Sequence, residues 1–159
     1  MSLFKRKSKP VVGLDISSTS VKLVELSMQS EGYQVESFAI SSLPAGAVVE
    51  KNINDVDLVA DVIRQLLSKS RCKIKDAAVA VAGSSVITKV IDMPSGLTED
   101  ALEEQITIEA DQYIPFPLDE VAIDFEIQGQ ANEDSNVMQV LLAACRKENI
   151  ELRIEALEQ

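Results

Sequence analysis

"GLDISSTSVKLVEL" (residues 13–26) runs an apolar strand into an aspartate, then through four consecutive small hydroxyl residues, and resumes at once as a second strand. Tight hairpins draw on Asn-Gly, Asp-Gly or Gly-Gly, because those residues accept positive φ without steric cost. Ser17-Ser18-Thr19-Ser20 matches that preference poorly, so the run asks for another explanation. A turn of this composition presents backbone N–H groups and hydroxyls together, a concavity suited to phosphate oxygens. An aspartate just ahead of it can hold magnesium, directly or through water, against the same phosphates. Serine-rich turns are common, and local chemistry leaves a second reading open in which Asp15 only accepts hydrogen bonds from the turn.

Working outward, "VVGLDI" (11–16) suits a buried strand, and "SVKLVEL" (20–26) places Val21 and Leu23 opposite Lys22. "YQVESFAI" (33–40) follows Gly32, with Tyr33, Val35 and Ser37 set against Gln34, Glu36 and Phe38. Three strands joined by short turns predict a meander. "LPAGAVVEKNIND" reads as a loop, and "NDVDLVADVIRQLLSKS" as a helix whose Val56, Val59, Ile63, Leu66 and Leu67 recur at helical spacing, capped by Asn54. "DAAVAVAGSS" (76–85) reads as a small-residue central strand under a close helix. The order so far, β-β-β-α-β, is half of an open mixed sheet with helices against it.

From Ser84 onward the pattern becomes strand-helix-strand-strand. "VITKVIDMP" (86–94) ends at Pro94, and Thr98 caps a helix whose expected stripe is Leu102, Ile106, Ala110 and Tyr113. "VAIDFEIQG" (121–129) and "VMQVLLAAC" (137–145) form a hairpin around "QANEDSN". The closing "RKENIELRIEALEQ" predicts a helix with Ile150, Ile154 and Leu157 as its apolar stripe.

Composition removes several function classes. With 46% hydrophobic residues the 159-residue chain can bury a core. A formal charge of −11, from 26 acidic and 15 basic residues, sets the protein's own field against a nucleic-acid partner. The absence of histidine removes Ser-His-Asp and Cys-His arrangements and most zinc sites. Cys72 and Cys145 form no C-x-x-C pair, in keeping with two ordinary thiols in a reducing cytosol. No window approaches the roughly 20 apolar residues of a membrane-spanning helix, and the basic start, with Lys5, Arg6, Lys7 and Lys9, reads as a solvated tail.

"GLDISSTSVKLVEL", in this β-β-β-α-β frame with a strand-helix-strand-strand insertion, resembles the first phosphate motif of the actin-like ATPase superfamily. The insertion resembles the extra subdomain of FtsA and PilM. "AVVEKNI" (47–53), "AAVAVAGSSVITK" (77–89), "EADQYIPFPLDEVAIDFE" (109–126) and "VLLAACRKEN" (140–149) resemble the PilM family of type IV pilus assembly specifically. The resemblance implies an α/β chain with a partial actin-like (ribonuclease H-like) mixed sheet and an inserted subdomain. Its implied parts are a basic tail (1–10), the first part of subdomain 1A (11–83), an inserted subdomain 1C (84–145) and a terminal helix (146–159) leading into a missing remainder, so that the chain is an N-terminal portion.

The same resemblance implies ATP and Mg as cofactors in the full-length family. Asp15 would sit near the metal, with Ser17, Ser18, Thr19 and Ser20 around the β- and γ-phosphates and Lys22 beside them. The superfamily usually has glycine at the position of Ser17. An opposing lobe would have to follow Gln159, and good sites bury 70–90% of a ligand of this size, so weak or undetectable ATP binding is expected of this chain alone. At most a weak ATPase is implied, and a sugar kinase of the same superfamily is the enzymatic alternative.

"QYIPFPLDE" offers a second candidate, with Ile114, Phe116 and Leu118 on a proline-stiffened segment. These residues either pack under the second module's sheet or line a groove between the modules that takes a short peptide. PilM resemblance implies that the peptide is the cytoplasmic N-terminal tail of the inner-membrane protein PilN. The expectation is a cytoplasmic scaffold, peripheral to the inner membrane through PilN and other pilus assembly proteins, with self-association possible and no nucleic-acid partner. An FtsA-like division protein and a peptide-binding module without nucleotide function are the alternatives. Asp119, Glu120, Asp124 and Glu126 resemble a paired-carboxylate site, but alternation on a strand spreads them over both faces, which reads as a solvated strand face.

Overall fold

The computed structural model describes residues 9–81, 83–130 and 136–159. Lys5, Arg6 and Lys7 of the expected tail, and most of the expected loop at 130–136, lie outside them. The chain divides into two compact units: the first runs to Ala80 and takes back Leu152–Gln159, and the second is Val81–Glu151.

In the first unit, β1 (Val12–Ile16), β2 (Ser20–Gln29) and β3 (Gly32–Ser42) form the expected antiparallel meander. A fourth strand, β6 (Ala77–Val79), lies parallel to β1, giving the order β3-β2-β1-β6. The expected central strand at 76–85 is therefore only three residues long and ends the row of described strands. Its Ala-rich sequence gives little side chain to hold a longer ladder.

Val12, Leu14, Val21 and Leu23 point to one face of this sheet, where α1 (Val56–Ser70) lays Val59, Ile63 and Leu66. The cap of α1 is Asp55, whose carboxylate accepts from the Leu58 N–H at 3.0 Å, and not Asn54. Asn54 instead donates to the Gly46 carbonyl, 3.1 Å away. The helix closes on Arg71 in a left-handed conformation.

The stretch read as a loop before α1 contains a miniature hairpin, β4 (Val48–Val49) and β5 (Asn52–Ile53). Its two turn residues, Glu50 and Lys51, both have positive φ, 48° and 69°. Neither residue type favours that geometry, which is why the sequence concealed the turn.

The alternation expected along β3 breaks at Glu36. Ser37 pairs with Glu25 while Val35 pairs with Leu26, so Glu36 is an extra residue. Such a bulge shifts the face of everything beyond it. Phe38 and Ile40 consequently share the outer face with Tyr33 and Val35, and all four are exposed.

The second unit is an antiparallel sheet of order β7-β9-β8, from β7 (Val86–Pro94), β8 (Val121–Gln130) and β9 (Val137–Arg146). Helix α2 (Glu99–Ala110) covers it with Leu102, Ile106 and Ala110, and Thr98 caps it by accepting from the Ala101 N–H at 3.3 Å. The expected fourth member of the stripe, Tyr113, is exposed, because the chain tightens after Ala110 and its carbonyl accepts from both the Tyr113 and Ile114 amides. That turn rotates Ile114 into the core in its place.

Helix α3 (Lys147–Glu158) begins in the second unit and ends in the first. Its buried residues are Asn149, Arg153 and Ala156, whereas Ile154 of the expected stripe is 46% exposed. The Arg153 guanidinium donates from Nε to the Ala80 carbonyl at 3.2 Å and from Nη2 to the Lys51 carbonyl at 3.0 Å. No described helix is long and apolar enough to cross a membrane.

Candidate functional site

The β1–β2 turn is built by two of its own serines. Ser17 donates its N–H to the Ser20 carbonyl at 2.9 Å and its hydroxyl to the same carbonyl at 2.8 Å. Its Oγ also accepts from the Ser20 N–H at 3.2 Å and stands 3.2 Å from the Ser20 hydroxyl. The side chain of Ser17 thus does what positive φ does in a glycine turn: it closes a short loop with local hydrogen bonds. The Thr19 carbonyl accepts from the Leu43 N–H at 2.9 Å, which ties the turn to the end of β3.

Ser18 and Thr19 form the exposed tip. Among the described residues their N–H groups and hydroxyls make no hydrogen bond, so both remain available to a ligand. Of the four hydroxyls expected around phosphate, the structure commits Ser17 and Ser20 to the turn and leaves Ser18 and Thr19 free to point outward.

Asp15 does not accept from the turn. It lies opposite Lys22 in the β1–β2 register, and the Lys22 Nζ sits 2.7 Å from its Oδ2. Both side chains are at least half exposed, so the pair contributes at most about 1 kcal/mol and can be exchanged for other partners. A cation or phosphate arriving here would separate Asp15 from Lys22 into a metal-side carboxylate and a phosphate-side ammonium. The donor set therefore fits a magnesium–phosphate group, with one carboxylate, one ammonium and two free N–H groups within a short stretch of strand and turn.

Asp15 and Lys22 also border a hollow of about 530 Å³ on the outer face of the sheet, floored by Gly13, Ala78 and Ala80 and walled by Val24. A methyl at Gly13 would stand 3.2 Å from Val24 Cγ1, so the absence of a side chain keeps this floor low. Sequence reasoning missed the hollow, since its floor comes from segments distant in sequence, β1 on one side and β6 with the following Ala80 on the other.

The second candidate divides. Ile114 is 5% exposed and belongs to the second unit's core, where it offers no surface to a partner. Leu118 is partly buried against the same core. Phe116 is 41% exposed, with the Arg146 guanidinium 5.9 Å from its ring centroid and Arg146 in turn 3.1 Å from Glu148. Beside it, Lys147 Nζ donates to the Asp119 carbonyl at 2.7 Å. Phe116 thus presents an exposed aromatic face with one cation against it.

Comparison with known proteins adds the family. A solved chain from a PilM-PilN type IV pilus biogenesis complex superposes with a TM-score of 0.84 at 29% identity, over 94% of this chain and 44% of its own length. The chain thus spans less than half the length of that relative. The mixed α/β sheet with its inserted antiparallel unit agrees with the partial actin-like class expected from the sequence. The pattern of the type IV pilus assembly protein PilM family matches residues 13–159, and the chain belongs to that family.

Proposed function

We propose that this chain is the scaffold portion of a cytoplasmic actin-like subunit in type IV pilus assembly, and that it docks the cytoplasmic N-terminal peptide of PilN. The observation that carries the reading is the match of nearly the whole chain to a chain from a solved PilM-PilN type IV pilus biogenesis complex. Phe116 supplies the anchor: an exposed aromatic on a segment stiffened by Pro115 and Pro117, which lowers the ordering cost of binding. The charge of −11 favours a peptide carrying Arg or Lys. Calorimetric titration with the PilN cytoplasmic peptide of the same cells tests it. Saturable binding that weakens tenfold or more in Phe116→Ala is expected, and no heat at millimolar peptide overturns the reading.

A second function rests on the β1–β2 turn. Ser18 and Thr19 would take phosphate oxygens, Lys22 would balance their charge, and Asp15 would hold magnesium through water. The turn is open to solvent in the first unit, so affinity for MgATP is expected to be weak, with a dissociation constant above about 10 μM. Titration with a fluorescent ATP analogue and magnesium reads this directly. Sub-micromolar binding overturns the expectation of weakness, and binding unaffected by Asp15→Ala overturns the assignment of the site.

A further inference from the structure

Natural edge strands are commonly blunted by lysine, proline or inward charge. The long edge strand β3 carries none of these; its one such feature is the bulge at Glu36, beyond which residues 37–42 stay in regular register with β2. Its sequence, "GYQVESFAISS", holds a single charge, Glu36, whose Oε1 already accepts from the Ser27 hydroxyl at 2.5 Å. Among the described residues no strand pairs with the side of β3 away from β2. The bulge at Glu36 collects Tyr33, Val35, Phe38 and Ile40 on one face, with Phe38 73% and Ile40 63% exposed.

Beyond the bulge the edge is complementary to itself. An antiparallel pairing about a two-fold axis at Ala39 sets Phe38 of one copy opposite Ile40 of the other, and Ile40 opposite Phe38. Ser37 then faces Ser41, and the small Ala39 faces its own copy at the axis. Aromatic and β-branched residues make favourable cross-strand pairs, and here the symmetry supplies that pair twice. No like charges meet in this register. We infer that the β3 edge is a homodimerisation site, joining two copies of this chain through residues 37–41 into one continuous sheet.

The contact is short, well below the roughly 800 Å² per partner of a standard interface. The dimer is accordingly weak and concentration-dependent. This inference is independent of PilN or nucleotide binding, since it uses neither Phe116 nor the β1–β2 turn.

Sedimentation equilibrium over about 10 μM to 1 mM chain tests association. The apparent mass is expected to rise toward twice the monomer value, and Phe38→Lys to weaken the dimer at least tenfold. Oxidative cross-linking tests the register without depending on how that variant folds. A mixture of Phe38→Cys and Ile40→Cys chains brings the two new cysteines face to face while the second Phe38–Ile40 pair of the same dimer stays intact. Either variant by itself leaves its new cysteines diagonal to each other. Disulfide dimer several-fold above both single-variant controls is expected in the mixture.

A chain that stays monomeric across this range overturns the inference. Association that survives Phe38→Lys in a folded variant, or cross-linking no stronger in the mixture than in the controls, places the contact elsewhere and also overturns it.

Discussion

Replacing Arg153 by Met should destabilise the first unit more than any truncation of an exposed apolar residue on the same helix. Arg153 is 3% exposed and donates to two carbonyls, those of Lys51 and Ala80. Met keeps most of the alkyl stem but leaves both acceptors without that donor. Both bonds are only part-buried and Lys51 and Ala80 are exposed, so water can take over each carbonyl. Losing such a bond costs about 0.5–1.5 kcal/mol, so two give about 1–3. Relief from burying the guanidinium offsets part of this, which leaves a net loss of about 1–2 kcal/mol. For a unit of this size that is roughly 4–16 °C in Tm.

Urea unfolding followed by circular dichroism, with the midpoint and slope fitted separately, reads the loss directly. Arg153→Lys should recover only part of it, because one ammonium cannot reproduce the fork that reaches both carbonyls. Ile154→Ala, at a half-exposed neighbour, should cost under about 1 kcal/mol. An Arg153→Met protein within about 0.5 kcal/mol of the parent, at unchanged slope, would refute the reasoning.

Three further outcomes are expected. Changing Glu50-Lys51 to Asn-Gly should stabilise the first unit by about 1 kcal/mol, since Asn and Gly accept the positive φ that both positions adopt; an unchanged urea midpoint would count against strain in that turn. Asp55→Ala should cost about 1 kcal/mol through the lost cap of α1 and Asn54→Ala clearly less, an ordering that thermal melts of the two variants can reverse or support. Burial holds the Cys72 thiol above its ordinary value, helped by the nearby Glu25. The folded state therefore favours the protonated thiol, so stability is intact below the unfolded-state value of about 9 and falls as pH rises through the folded value. Unfolding measured from pH 8 to 10.5 should show that decline in the parent and a smaller one in Cys72→Ala.

Much of this architecture is legible in the sequence because periodicity and caps agree with each other. The β1–β2–β3 meander, the Val59-Ile63-Leu66 stripe of α1, the Thr98 cap and the β8–β9 hairpin all follow from local patterns. The misreadings share a different cause, in that each depends on tertiary contact. Ile154 reads as core because it is apolar, yet the buried side chain of that turn of α3 is Arg153, which donates to the distant carbonyls of Lys51 and Ala80. Tyr113 fell out of the α2 stripe once the helix tightened at Ala110. Phe38 changed faces through a bulge that no residue type announces. At the candidate phosphate site the residue types are plain in the sequence but their division is not: Ser17 and Ser20 hold the turn while Ser18 and Thr19 face solvent, and Asp15 is engaged by Lys22.

The split of α3 between the units has a consequence for how the protein is made. Ala156, Leu152 and Leu157 belong to the same apolar cluster as Val12 and Val59, and Arg153 joins them there. Residues 81–151, the whole second unit, intervene in the chain. A ribosome adding about 5–20 residues per second needs roughly 4–14 s to travel from Ala80 to Leu152. During that interval the amino-terminal sheet and α1 wait with one side of their core open, while β7, α2, β8 and β9 of the second unit are made. The later-encoded unit thus has its strands and α2 before the earlier one can close around Leu152, Ala156 and Leu157.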